Sequence, residues 1–143
     1  MDKTKIAQSR MAPGYTYFLP IQVCVTNPQT MRQVSLKLEE CKVDTGFNGD
    51  ILTPLHHISD LSLTGARLYD GDFELANGEI ITGKWCLARV TKIANYEFYP
   101  PHIEIALICC GKSRNSLFGL RLLSKWIANF HGPKRLLTIS EEK

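Results

Sequence analysis

The apolar residues of this chain recur mostly at every second position. Val34, Leu36 and Leu38 fall on one side of an extended segment, with Ser35, Lys37 and Glu39 on the other. Successive side chains of a strand point to opposite faces, so this spacing fits a half-buried β-strand and not a helix. Ile21, Val23 and Val25 repeat the pattern, as do Ile103, Ile105 and Leu107. Residues 15–25, 68–75 and 79–93 also read as extended, and Leu136, Leu137 and Ile139 mark a last strand. Residues 96–101 read as a loop, and 56–63 as one or two helical turns. Only Leu120, Leu122, Leu123, Trp126 and Ile127 keep helical spacing over a longer stretch. The chain is therefore expected to be mainly β, with one helix near its C-terminal end.

Length narrows this further. A chain of 143 residues suits one domain and falls short of a duplicated, two-lobed enzyme. Hydrophobic residues are 44% and charged residues 22%, which excludes disordered, collagen-like and coiled-coil readings. The formal net charge is +3, and the basic residues are scattered. The short groups at 112–114 and 134–135 read as solvated turns, so no nucleic-acid partner is expected. The longest apolar run, 103–110, contains Glu104 and is far shorter than the ~20 residues of a membrane span. Residues 1–10 are polar and carry no secretory signal. The expectation is a cytoplasmic protein without a membrane partner. A flexible leader is expected over 1–13 and a single folded domain over 14–143. Five cysteines at irregular spacing do not form a disulfide framework, and adjacent Cys109 and Cys110 do not match zinc-ligand spacing. They are expected as buried strand residues.

The chemistry-bearing candidates lie at strand ends. The strand through Cys41 and Val43 runs straight into Asp44-Thr45-Gly46, followed by Phe47, Asn48 and Gly49. A strand holds such a carboxylate rigidly, and the glycine lets the backbone turn and a substrate approach. Ala76-Asn77-Gly78 is a hairpin signal, because Asn-Gly suits a type I′ turn. Leu117-Phe118-Gly119 places two large apolar residues and a glycine ahead of the helical stretch. The adjacent His56 and His57 would point to opposite faces of a strand, and no Cys or carboxylate pattern joins them, so no metal site is expected. Asp70 and Asp72 flank Gly71 and read as a solvated turn. No G-x-S-x-G elbow, Cys–His signature or glycine-rich phosphate loop is present.

In this order and spacing, the motifs resemble the retropepsin-like aspartic proteases. The likeness is to short bacterial and archaeal members whose motif runs Asp-Thr-Gly-Phe. It covers about residues 15–139, ending with Leu136-Leu137-Thr138-Ile139. The resemblance implies a closed β-barrel with one short C-terminal helix. It implies an aspartic endopeptidase that works as a homodimer on a peptide or protein substrate, with no cofactor and no metal. Asp44, Thr45 and Gly46 would be the catalytic motif. Phe47, Asn48 and Gly49, with the flap residues Ala76, Asn77 and Gly78, would contact substrate. Leu117, Phe118 and Gly119 would support the catalytic loop from beneath.

The sequence departs from the retroviral pattern at three places. Phe47 is bulky where those enzymes have a small residue. An acidic residue and an arginine that pair there correspond to Asn48 and Leu120 here, so that ion pair is expected to be missing, with Arg121 one place too far. The flap tip is more polar, with Glu79 beside Gly78. A fold can carry unrelated functions. The competing reading is accordingly a dimerisation or peptide-binding module of the same fold that cleaves nothing.

Overall fold

The computed structural model describes residues 3–62, 64–75, 77–111 and 115–142. Alternating segments become strands wherever one face can be buried. In chain order they are β1 (Lys3–Arg10), β2 (Phe18–Thr26), β3 (Gln33–Asp44) and β4 (Ile51–Pro54), then β5 (Tyr69–Glu74), β6 (Ile80–Ile93) and β7 (Tyr96–Glu97). They continue as β8 (Ile103–Cys110), β9 (Ser116–Gly119), β10 (Ile127–His131) and β11 (Leu136–Glu142). A 3₁₀ turn at Leu55–His57 leads into α1 (Ile58–Ser62), and α2 spans Leu120–Leu123. The mainly β class expected from the sequence is the one observed.

Strands β2, β3, β9, β4, β8 and β6 are hydrogen-bonded in that order, and β2 pairs again with β6, which closes the ring. Closure leaves no free edge in the barrel. Its interior is filled by Val23, Val25, Cys41, Ile51, Leu107, Phe118 and Leu122, all fully buried. Most pairings are antiparallel, but β3–β9 and β4–β8 are parallel. Strand β5 extends from β6 as an antiparallel hairpin outside the ring. Among the described residues, no helix is long and apolar enough to cross a membrane.

A second sheet has the order β1-β11-β10. It corrects the expected leader. Lys3–Arg10 is a strand paired antiparallel with β11, not a flexible segment. A bulge between Lys5 and Ala7 lets two consecutive residues, Ile6 and Ala7, both reach the core. Ser9 Oγ ties the strand to the Phe18 carbonyl at 2.8 Å. Two apolar residues among eight were too few to signal a strand by alternation.

The short C-terminal helix expected is present, but it covers less than the helical spacing that runs through Trp126 and Ile127. It ends at Leu123, where Lys125 and Trp126 donate to Leu122 and Leu123, bonds that close the last turn tightly. Leu122 and Leu123 are buried. Trp126 packs near Phe98 and Phe118 from a bend. Ile127 begins β10, where ladder pairing with β11 replaces further helix. The hairpin expected at Asn77-Gly78 is present, but it is not a two-residue type I′ turn. Leu75 N–H donates to Glu79 O at 2.8 Å and Gly78 N–H to Leu75 O at 2.9 Å. These bonds enclose a three-residue loop whose last member, Gly78, has φ +83°. Ala76, within that loop, lies outside the described residues, as do residues 112–114.

Candidate active site

Asp44 is the last residue of β3 and pairs in parallel with Gly119 at the end of β9. Asp44 is half-buried, Thr45 exposed and Gly46 half-buried. Asp44 Oδ1 accepts the Gly46 N–H at 3.0 Å, and its carbonyl accepts the Phe47 N–H at 3.1 Å. A carboxylate bonded two residues onward is fixed by its own turn.

The loop beyond it is stapled to the start of α2. Phe47 O accepts the Leu120 N–H at 2.7 Å, and Gly49 O accepts the Arg121 N–H at 3.2 Å. Asp50 O accepts the Gly119 N–H at 2.7 Å. Gly119 permits this approach because a side chain there would run into the Gly49 carbonyl oxygen and lie 2.7 Å from Phe47 Cδ2. Gly119 therefore stands against the Asp44–Asp50 loop, and Leu117 and Phe118 against the strands that flank it. Leu117 pairs with Lys42 and Leu52, while the fully buried Phe118 pairs with Val43 and Ile51.

Phe47 joins this loop to the β5–β6 hairpin. Its ring is only 3% exposed and belongs to an apolar cluster with Leu52, Ile81, Ile108 and Cys110. Phe73, Leu75, Trp85 and Leu117 pack around that cluster. The bulky residue after Asp-Thr-Gly is thus a buried hinge pin between loop and hairpin. Asn48 is exposed and Gly49 half-buried, and Asn77 and Gly78 are exposed at the hairpin tip. Asp70 and Asp72 lie in β5 rather than in a turn. They are held on the exposed face by Lys84 Nζ at 2.7 Å and Thr82 Oγ1 at 2.8 Å.

Sequence reasoning missed Asp50. Its side chain is 2% exposed, and Oδ2 accepts the Ala106 N–H at 2.9 Å. Oδ1 has no hydrogen bond among the described residues but lies 3.9 Å from Arg121 Nε. Asn48 and Leu120 form no acid–arginine pair; Asp50 and Arg121, each further along the chain, are the acid and the arginine that approach each other. A carboxylate immediately before Ile51-Leu52 was the available signal, since a charge flanking a buried strand needs a partner.

The two histidines sit in the 3₁₀ turn, not on a strand, and their rings are 4.2 Å apart rather than on opposite faces. Burial, and then the neighbouring His56, lowers the pKa of His57, against the pull of Asp60. Among the described residues no group of three His, Cys, Asp or Glu side chains converges. All five cysteines are free. Burial raises the thiol of Cys41, lifts Cys86 to about 11 and Cys109 to about 12. Cys109 and Cys110 face different apolar clusters, as neighbours on one strand should.

No protein-family model matches the chain, and no curated protein matches it. Among solved structures it is similar to the crystal structure of a retropepsin-like aspartic protease from Rickettsia conorii. The two share 19% sequence identity with a TM-score of 0.57, over 98% of this chain and 92% of that one. At that identity the likeness establishes the fold: a retropepsin-like closed β-barrel.

Proposed function

We propose that this chain is an aspartic endopeptidase that acts as a homodimer, with Asp44 as the catalytic carboxylate of each subunit. The observation that carries this reading is the placement of Asp44. It ends a barrel strand opposite Gly119, on a loop stapled by three backbone hydrogen bonds to the β9–α2 junction. A single Asp-Thr-Gly per chain supplies half of a two-carboxylate site, and a second copy supplies the other half.

Two carboxylates that close cannot both stay ionised, so the pair holds one proton between them. The ionised member takes a proton from water, and the oxygen attacks the peptide carbonyl carbon. The protonated member donates to the carbonyl oxygen as its π bond breaks. Collapse of the tetrahedral species breaks the C–N bond and returns a proton to the amine. Thr45, exposed beside Asp44, would bond the opposing loop. The hairpin carrying Asn77 and Gly78 would close over the peptide and exclude water. Asn48 and Gly49 would meet the peptide backbone. Five free cysteines support a reducing compartment, the cytoplasm.

The test is cleavage of a broad peptide library between about pH 4 and 7, the range of a shared-proton pair. Asp44→Asn should cut the rate at least about a thousandfold while keeping the fold. Undiminished cleavage by that variant would remove Asp44 from the mechanism. No cleavage by either protein would favour the binding-module reading.

A further inference from the structure

Cross-strand pairing sets one row of side chains across the barrel. Phe18 of β2 pairs with Lys42 of β3, Lys42 with Leu117 of β9, and Leu117 with Leu52 of β4. Leu52 pairs in turn with Ile108 of β8, and Ile108 with Trp85 of β6. Residues paired across a ladder share a face. Leu52 and Ile108 belong to the apolar cluster under the β5–β6 hairpin, and Leu117 and Trp85 pack on it. Lys42 is the charged member of an otherwise apolar row.

The neighbouring row holds Asp44 beside Gly119. Cys41 and Val43 turn toward the barrel core, so Lys42 and Asp44 take the other face of β3. Two residues along a strand lie about 6.5 Å apart. Lys42 therefore stands one row behind Asp44 on the same surface. It is half-buried, between Phe18 and Leu117, which are half-buried too. A lysine so placed gives up part of its hydration, and buried charges are normally paired. Among the described residues its ammonium makes no ion pair or hydrogen bond, whereas Lys84 and Arg121 have Asp70 and Asp50. Asp44 does not supply the partner, since its Oδ1 accepts the Gly46 N–H instead.

We propose that Lys42 is a specificity-determining residue, whose ammonium receives an acidic side chain of the substrate next to the bond cleaved at Asp44. The inference rests on the protease reading above and adds the class of side chain that the site takes. An extended peptide advances about 3.3 Å per residue, so a side chain bordering a bond held at Asp44 reaches the row behind it. A carboxylate there completes the pair that Lys42 lacks. The apolar walls of Phe18 and Leu117 strengthen that pair by keeping water away. A neutral side chain leaves the ammonium unpaired, and a basic one is repelled. In a two-fold dimer each side of the bond would meet one Lys42.

The test compares kcat/KM for three peptides built on a sequence that the full chain cleaves, differing only in Glu, Gln or Lys beside the cleaved bond. The full chain should prefer Glu over Gln by roughly tenfold or more, with Lys last. Lys42→Met keeps the aliphatic stem and should lose that preference. Lys42→Glu should reverse it in favour of the Lys peptide, a result that misfolding does not produce. A preference for Glu that Lys42→Met retains, or a loss equal for all three peptides, overturns the role of Lys42 while the protease reading stands. So does a full chain that cleaves all three alike. A full chain that cleaves no peptide of a broad library overturns both.

Discussion

Gly119 is the residue at which the candidate site is least tolerant. Gly119→Ala should cost roughly 1–3 kcal/mol, because the added methyl must displace the Gly49 carbonyl or the Phe47 ring. Urea unfolding would show it, and an unchanged midpoint would mean that the loop yields freely. Leu117-Phe118-Gly119 and Asp44-Thr45-Gly46 could be read in the sequence because each motif is contiguous and its demand is local. Asp50 could not. Its burial depends on the Ala106 N–H, 56 residues away along the chain. Its link to Arg121 depends on how β4 lies against β9. Spacing along one chain does not disclose a partner chosen by strand register.

At the scale of elements, the unit that matters is the hairpin of β5 and β6 resting on the Asp44–Asp50 loop. Ile81 and Phe73 of the hairpin and Phe47 of the loop share one apolar cluster. Phe47→Ala should destabilise the fold by about 3–5 kcal/mol. It should also loosen the hairpin, read as faster amide exchange in β5 and at Ile81 than elsewhere in the barrel. Equal change throughout the barrel would show that Phe47 is ordinary core. The strands were legible because alternation is a local signature of a half-buried sheet. The helical spacing ran past the helix because Trp126 and Ile127 happen to continue it, while the pull of β11 on β10 is a non-local effect. Asn-Gly located the hairpin correctly, but the flanking pair that closes it is Leu75 with Glu79.

For the whole molecule, the mainly β barrel was legible and the place of residues 3–10 was not. Removing β1 should uncover Leu137 and Ile139, both fully buried, and release Ile6, whose burial alone stabilises by about 1.5–3 kcal/mol. A chain beginning at Met11 should therefore melt well below the full chain in a calorimeter, and equal melting temperatures would show β1 to be dispensable. The pairing of Lys3 with Glu142 also sets a timetable for synthesis. A growing chain that has not yet emerged through residues 136–142 holds β1 and β10 with nothing between them. Contacts this far apart in sequence form late and slowly. The first and the tenth strands are thus joined into one sheet only once residues 136–142 have been made, so the second sheet closes after every strand of the barrel has already been synthesised.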